Sequence, residues 1–428
     1  MKQRSALLPI FLIVLVDVLG FTIVIPLLGL YAERFGASPL VATTLVSVYA
    51  LCSLLSTPLI GRLSDQYGRK PLLMISQAGT CAGFVMLGFS SSLWMVFVGR
   101  ILDGLTAGNL SIAQAYISDH TRPEERAKAF GVIGVAFGFG FMFGPALGGW
   151  LGEAYGMHMP FVVAACLSLS SILATYTLLP GDAPKPAEPP TDTAPATASK
   201  APAGDTGPGG RRPGAFDFAT YAEYFRRPGI LALYAQFFLF AFAFSCFFSG
   251  FALYAERKFR TADGMRWSAA EVGYLFAYVG LLGIILQGGL LGRLVKRFGE
   301  LRLTIAGFLA AAIAYVTVGL SYTLVPLVIG ATISAFGNGV LRPVITSRLT
   351  QSVGRHEQGV AIGISGSLNS MAMAMAPPTG GAMLENGWLI AWALVPGSVV
   401  TLGLLVTLLW PGGRRPEDAA AASPPAHS

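Results

Sequence analysis

The 428-residue chain is 54% hydrophobic and only 12% charged, and its mean hydropathy is +0.62. A composition this apolar excludes a soluble globular protein and indicates a membrane protein. The formal net charge of +7 could suggest a nucleic-acid partner, but the basic residues are spread between apolar segments along the whole chain. We therefore expect a lipid bilayer as partner and no nucleic acid.

Apolar segments of about 20 residues recur along the chain, and each is long enough to cross ~30 Å of hydrocarbon as a helix. We number them spans 1 to 12. They are predicted to begin near Leu7, Leu40, Leu72, Leu93, Ala129, Phe161, Leu231, Val272, Leu303, Leu324, Val360 and Trp388. The predicted fold class is an all-α membrane protein. Because no small-residue cleavage site follows span 1, we expect a retained helix rather than a signal peptide.

Lysine and arginine are concentrated in the loops after the even-numbered spans. Examples are Arg62, Arg69, Lys70, Arg293, Lys296, Arg297 and Arg302. Since positively charged loops stay in the cytoplasm, both termini are predicted to be cytoplasmic, in a bacterial inner membrane. The loop after span 7 is an exception, because it contains four basic residues between positions 257 and 266.

The two halves of the chain repeat each other. Residues 61–71 (GRLSDQYGRKP) between spans 2 and 3 have a weaker copy (GRLVKRFGE) that starts at 292, and LYAER at 30–34 recurs at 253–257. Matched landmarks at a nearly constant offset predict two related six-span units. The predicted domains are 1–180 and 215–410. Two Pro- and Ala-rich segments, a linker at 181–214 and a tail at 411–428, are expected to be disordered and cytoplasmic.

These motifs resemble the major facilitator superfamily, in particular its twelve-span drug:proton antiporter group and, by motif, the tetracycline-exporter-like branch. The segment 61–71 fits the family pattern G-x-L-a-D-r-x-G-r-k-P. The resemblance implies two six-helix bundles around a central cavity. It also implies export of a small amphipathic or hydrophobic compound in exchange for protons, by alternating access. We expect a monomer.

Within the segment 61–71 the resemblance implies a gating function. Gly61 and Gly68 would permit close helix approach and a sharp turn. Asp65 is expected near the amino end of span 11, where the helix dipole favours an anion, and Arg69 is expected to pair with Asp119 at the end of span 4. These contacts would hold the two halves together in the outward-facing state. The alternative, a basic turn that obeys the positive-inside rule, does not explain an acid between two glycines.

Span 4 contains an arginine inside the membrane, in the segment GRILDGLTAG at 99–108 that resembles a family motif. A guanidinium at this depth is costly unless it is paired or hydrated, which makes Arg100 a candidate functional residue. Asp103 lies one turn away and could pair with it. The alternative is that Arg100 lies close to the outer interface and extends into it.

Asp17, near the middle of span 1, is the deepest acid in the sequence. Alignment of the two LYAER copies places Phe240 at the matching position of span 7. A charge in one half only favours a substrate- or proton-related role. Because burial disfavours the charged form of a carboxylate, Asp17 could bind and release protons near neutral pH. We therefore expect Asp17 to couple transport to protons, with Arg100 and Asp103 modulating it; the alternative is a hydrogen bond from Asp17 to a neighbouring helix.

Span 5 carries glycines at spacings of four, which builds a flat ridge for close packing with a local bend at a proline. The residues that match the family's antiporter signature are Gly140, Gly144, Pro145, Gly148 and Gly149. The resemblance implies that this ridge packs against span 8. Span 8 itself contains Gly280, Gly283, Gly288 and Gly289.

Other polar residues inside the spans are expected to line a substrate cavity, because polar groups avoid lipid, although any one could instead bond to a neighbouring helix. They are Asn109, Gln114, Gln236, Gln287, Asn338, Arg342 and Asn369. The segments 79–83, 308–312 and 281–284 lack the acids and the histidine of tetracycline exporters, so metal-chelated tetracycline is not the expected substrate. A second hypothesis is a uniporter or symporter for a nutrient or organic anion, held by Arg100 or Arg342.

The four cysteines and four histidines show no metal-ligand spacing, and no G-x-x-x-x-G-K-[ST] motif for ATP occurs in the sequence. We therefore expect no metal site, no cofactor and no enzymatic activity. The energy for transport is expected to come from a gradient.

Overall fold

The structure is a computed structural model of the chain and describes residues 7–120, 126–179, 225–354 and 357–410. In these ranges the elements are helices, apart from one isolated bridge between Arg260 and Arg266. Eleven of the described helices are long and apolar enough to cross a membrane. The remaining span, span 4, is divided into two shorter helices. The predicted linker at 181–214 and tail at 411–428 lie outside the described residues.

The helices begin within three residues of the predicted positions. The first six spans are Leu7–Glu33, Pro39–Tyr67, Arg69–Gly88, Leu93–Leu105 with Asn109–His120, Arg126–Ala154 and Met159–Leu178. The last six are Pro228–Lys258, Ala269–Phe298, Glu300–Leu320, Leu324–Gln351, Gln358–Glu385 and Leu389–Leu409. Span 8 contains a π-helical turn at Leu286–Leu290. The all-α membrane fold agrees with the sequence-based prediction.

The turns between spans 2 and 3 and between spans 8 and 9 have the same backbone conformation in both halves. Gly68 has φ +96° and Gly299 has φ +78°, values that a residue with a Cβ adopts only with strain. The repeated hairpin therefore folds alike in the two copies. We call the side of the molecule that carries these two turns the basic face. The other side, where residues 34–38 and 386–388 connect spans, is the opposite face.

The two halves meet mainly through span 5 against span 8 and span 2 against span 11. Along span 11 the contact ends part-way. The Ser47 hydroxyl donates to the carbonyl oxygen of Met373 (3.5 Å), and Gly381 packs against Thr43. Gly366 lies seven residues before Met373, on the same side of the helix, and a methyl group added there would have no neighbour within 4 Å.

Span 8 separates from span 5 in the same direction. A methyl group added at Gly280 would lie 2.6 Å from the backbone of Met142, whereas one added at Gly288 or Gly289 would meet nothing within 4 Å. Both inter-half contacts are therefore close near the opposite face and absent toward the basic face. The halves enclose a cavity that opens on the basic face.

Most of the glycine ridge of span 5 packs against span 1, so the expectation that it packs against span 8 was wrong for Gly140, Gly144 and Gly148 and holds only for Pro145 and Gly149. A methyl group added at Gly140 would lie 2.5 Å from the Val18 side chain, and one added at Gly148 would lie 2.8 Å from the carbonyl oxygen of Ile23. Thr22 packs against the ridge between them and donates a 2.8 Å hydrogen bond to the Gly140 carbonyl oxygen. The ridge thus serves packing within the first half.

Span 8 contacts the neighbouring row of span 5. The pairs along this row are Gly149 with Ala269, Pro145 with Gly273, Met142 with Gly280 and Gly138 with Ile284. Span 5 lies between spans 1 and 8, so its two glycine-containing faces serve different partners. Gly149 and Pro145 of the antiporter signature are therefore at the interface between halves, while Gly140, Gly144 and Gly148 are not. Gly283 has no such neighbour within 4 Å.

Candidate functional site

Span 4 is interrupted at residues 106–108, in the middle of the first half. The backbone groups that the break leaves outside the helix are satisfied by neighbouring side chains. Ser56 and Thr57 of span 2 each donate a 2.8 Å hydrogen bond to a carbonyl oxygen at the break, and Ser76 of span 3 accepts one of 2.9 Å from the N–H of Gly108. Irregular backbone at membrane depth is tolerated where protein surrounds it in this way. This break was not predicted from the sequence.

Arg100 lies one and a half turns before the break and is completely buried. Its Nη1 is 2.8 Å from Oδ2 of Asp103, which is 5% exposed, and its guanidinium carbon lies 4.4 Å from the ring centroid of Tyr49. Its Nε and Nη2 have no hydrogen-bond partner in the described chain. A side chain that is 0% exposed does not extend into an interface, so the arginine is held by an ion pair and an aromatic ring.

Asp17 faces the interior of the first half from span 1. It is half-buried, its Oδ1 is shielded from solvent and has no hydrogen-bond partner among the described residues, and it lies next to the side chains of Gln77, Asn109 and Ser171. Asn109 begins the second helix of span 4, so Asp17 lies beside the break. The Oδ1 atom of Asn109 is also buried without a donor in the described part of the molecule.

The residues around Asp17 form a polar network between spans 3 and 6 that sequence reasoning missed. Gln77 donates to the Ser171 hydroxyl (2.8 Å) and accepts from the Thr175 hydroxyl (2.9 Å). All three of these side chains are buried. The sequence signal for this network was a glutamine in span 3 and two hydroxyl residues one turn apart in span 6. Serine and threonine are too common in membrane helices for this signal to be specific. Asp17 therefore contacts a neighbouring polar network and also retains partial exposure.

In the hairpin between spans 2 and 3, Arg69 connects three side chains. Its Nη2 is 2.5 Å from Asp65 Oδ1, its Nε is 3.0 Å from Asp119 Oδ2, and its Nη1 donates to the Ser64 hydroxyl (2.6 Å). The pairing with Asp119 is the one implied by the family resemblance. The Asp65 side chain is 62% exposed, and no ion pair joins it to span 11 within the described ranges. In this conformation the halves are apart on the basic face, which separates Asp65 from span 11.

The second half contains a counterpart of the Arg69–Asp119 pair in which an acid contacts neutral side chains. Glu300 follows Gly299 as Arg69 follows Gly68, and it accepts hydrogen bonds from Ser347 (2.6 Å) and Gln351 (2.9 Å) at the end of span 10. The first turn of span 9 is thus fixed to span 10 by hydrogen bonds to the Glu300 carboxylate. The repeated hairpin keeps its geometry while its charges differ.

Some of the predicted cavity residues of the second half are exposed, and others are enclosed by neighbouring helices. Arg342 is exposed on span 10 and donates a 2.8 Å hydrogen bond to Asn369 Oδ1 on span 11, and Gln287 is exposed in the π-helical turn of span 8. Asn338 is half-buried and donates to the Ser334 hydroxyl (2.9 Å).

Gln236 lies away from the cavity. It is fully buried, accepts a hydrogen bond from Arg348 (3.3 Å) and donates one to the carbonyl oxygen of Trp410 (3.4 Å). In this conformation it bonds to neighbouring helices, the alternative that the sequence left open. Gln114, on the second helix of span 4 in the first half, is half-buried. No group of three histidine, cysteine or acidic residues able to hold a metal occurs among the residues that the structure describes.

The comparisons with known proteins establish the family. The chain belongs to the Major Facilitator Superfamily, whose family model matches residues 10–324 and 260–427. It is 30% identical to tetracycline resistance protein, class C, of Escherichia coli, over 88% of this chain and 89% of that protein. It is 25% identical to multidrug resistance protein 2 of Bacillus subtilis (strain 168), over 98% of each.

Solved structures share the fold. The crystal structure of the human organic anion transporter MFSD10 (TETRAN) has a TM-score of 0.69 at 22% identity and covers 95% of this chain and 99% of that chain. The protein is therefore a multi-pass membrane transporter of small molecules and not an enzyme. The resemblance to tetracycline and multidrug efflux proteins is confirmed.

Proposed function

We propose that this transporter exports a small amphipathic or hydrophobic compound in exchange for protons, by alternating access in a bacterial inner membrane. The positive-inside rule assigns the basic face and both termini to the cytoplasm. The conformation described above then has its cavity open to the cytoplasm, ready to bind a compound. In this proposal residues 1–180 and 215–410 are the two moving bundles, joined by the linker 181–214, and the transporter acts as a monomer.

The observation that carries the proposal is the position of Asp17 beside the break in span 4. The carboxylate has an oxygen without a donor, and the neighbouring Asn109 has another. A protonated Asp17 would supply a hydrogen where two acceptors lack one, so this site favours proton uptake. The adjacent amino end of the helix Asn109–His120 would favour the anion once the surroundings change. Asp17 can therefore alternate between two protonation states.

Arg100 and Asp103 lie on the other side of the same break and modulate this site. Asp103 is close enough to Asp17 to repel its negative charge, and the ion pair with Arg100 offsets that repulsion. A shift of the two helices of span 4 against each other would change the distances between these three charges. The proton site and the bundle movement are thereby connected.

The hairpin of spans 2 and 3 acts as a gate on the cytoplasmic side. When the halves approach on that side, Asp65 meets the amino end of span 11, whose helix dipole stabilises an anion. Arg69 and Asp119 fix the hairpin to the first half, while Gly61 leaves room for the approach. This contact stabilises the outward-facing state.

The relatives support export, since tetracycline and multidrug resistance proteins are among the proteins that this chain resembles. The test begins with a compound-sensitivity screen in cells that lack their main exporters, with and without this protein. Uptake of a compound found in the screen is then measured in everted membrane vesicles. We expect uptake to be driven by an acidic vesicle interior and to stop when nigericin dissipates the pH gradient. Uptake at the same rate with and without the pH gradient would instead identify a uniporter. Loss of compound from vesicles with an acidic interior would identify a symporter.

A further inference from the structure

Arg342 lies at the closed end of the cavity between the two halves. Its partner Asn369 is one turn before Met373, whose carbonyl oxygen accepts a hydrogen bond from Ser47 of span 2. Since span 11 runs from the basic face to the opposite face, Asn369 lies on the cavity side of that contact. The guanidinium of Arg342 is therefore placed where a compound entering from the basic face would stop.

The charge of Arg342 has no counter-ion in the described residues. Its side chain is exposed, its printed bond is to the neutral Asn369, and no carboxylate in the described ranges lies within ion-pair distance. Arg100, the arginine of the first half, is by contrast fully buried and paired with Asp103. Of the two arginines that the sequence offered as substrate ligands, the structure leaves Arg342 accessible and Arg100 enclosed.

A guanidinium without a counter-ion at membrane depth is costly, so such residues mark binding sites or ion pathways. Its planar group presents paired N–H donors that match the oxygens of a carboxylate, sulfonate or phosphate. The hydrogen bond to Asn369 uses one Nη2 donor and fixes the orientation of the plane, which leaves the remaining donors for a ligand. Neutral and cationic compounds would not compensate this charge.

The same half offers apolar surface for the remainder of an amphipathic molecule. Phe244 and Phe248 of span 7 are half-buried and stacked, with centroids 5.5 Å apart. Phe248 also contacts Phe141 of span 5 across the interface between halves, at 5.6 Å. Aromatic side chains at the meeting of two bundles can pack against a ring system.

We propose that Arg342 binds an anionic group of the transported compound, with Asn369 positioning the guanidinium, and that the substrates are amphipathic organic anions. This inference rests on the proposed function in one respect: the compound that binds at Arg342 is taken to be the compound that is transported. It does not depend on the direction of transport or on proton coupling.

The test compares two fluorescent probes that differ by one anionic group. 8-Anilino-1-naphthalenesulfonate carries a sulfonate, and N-phenyl-1-naphthylamine is the same ring system without it. Binding of each is titrated to the purified protein in detergent, without a gradient. We expect Arg342→Gln to weaken binding of the sulfonate at least tenfold and to change binding of the neutral probe less than twofold. Asn369→Ala, which keeps the charge, should weaken sulfonate binding about threefold.

Arg293→Gln is the matched control, because Arg293 is an exposed arginine at the end of span 8 on the basic face. It removes the same charge from the protein and should leave both affinities unchanged. The assignment is overturned if wild type does not bind the sulfonate, if Arg342→Gln does not change its affinity, or if both probes weaken equally. Thermal unfolding confirms that each variant is folded. If Arg342→Gln does not fold, the same comparison of the two probes is made with Arg342→Lys and Asn369→Ala, and it tests the assignment in the same way. Loss of gradient-driven uptake alone would contradict the antiport proposal and leave this assignment standing.

Discussion

Glu33 Oε1 lies 2.5 Å from Nη2 of Arg257, and this ion pair joins the two copies of the LYAER sequence across the opposite face. Glu33 ends span 1 and Arg257 lies in the last turn of span 7. Nearby, the Ser38 hydroxyl donates to Glu385 (2.8 Å), which adds a second polar contact between the halves. The repeated LYAER motif therefore closes the side of the transporter opposite its cavity.

Breaking this ion pair should open the opposite face more often. A partly exposed pair contributes up to about 1 kcal/mol, so Glu33→Gln is expected to raise the population of the open state about fivefold. The measurement is the distance distribution between spin labels at Ala154 and Asn386, which are exposed on this face in the first and second half. Glu256→Gln is the control, because Glu256 contacts Arg257 within the same helix. An unchanged distribution in Glu33→Gln would show that the pair does not close the transporter.

Two glycines on one helix test how spans 5 and 8 pack. Gly280→Ala places a methyl group 2.6 Å from the backbone of Met142 and should destabilise the protein by about 1–3 kcal/mol through overpacking. Gly283→Ala meets nothing within 4 Å and should leave thermal stability unchanged or slightly higher, because alanine favours a helix. Thermal unfolding in detergent measures both. Equal damage by the two substitutions would mean that both glycines face span 5, against the packing described here.

Asp65→Asn should slow export while leaving the stability of the protein nearly unchanged. In the conformation open on the basic face, Asp65 is exposed and pairs only with Arg69 in the described chain, so the substitution should change the free energy of unfolding by less than about 1 kcal/mol. In the outward-facing state it removes a charge at a helix amino end, a contact worth about 1 kcal/mol, and should slow export about fivefold. Export rate and thermal stability are measured on the same preparation. Asp119→Asn, which removes the second acidic partner of Arg69, should lower stability more; full export by Asp65→Asn would contradict the gating proposal.

The spans and their repeat could be predicted from the sequence because apolar runs of membrane length and glycine-marked turns are local signals. The pairing of Arg100 with Asp103 followed from their spacing of three on a helix. The break in span 4 was not predictable in this way, because it depends on Ser56, Thr57 and Ser76 from other spans. The local sequence there is Thr106, Ala107 and Gly108, residues that a helix also tolerates.

The partner of the span 5 ridge could not be predicted either. A four-residue spacing defines a face of a helix but not the neighbour that meets it, and Gly144 faces Thr22 of span 1 instead of span 8. The conformation itself depends on small free-energy differences between packed states. Sequence motifs implied the outward-facing contact of Asp65, whereas the structure shows the state that is open on the basic face.

The variant Asp17→Asn shows whether Asp17 exchanges protons during transport. Asparagine keeps the size of the side chain and its position beside Gln77 and Ser171, but it cannot titrate. The variant is reconstituted into liposomes, and uptake of a compound from the sensitivity screen is followed under an imposed pH gradient and under counterflow. We expect no gradient-driven uptake, intact counterflow and unchanged thermal stability. Gradient-driven uptake equal to that of wild type would contradict the account.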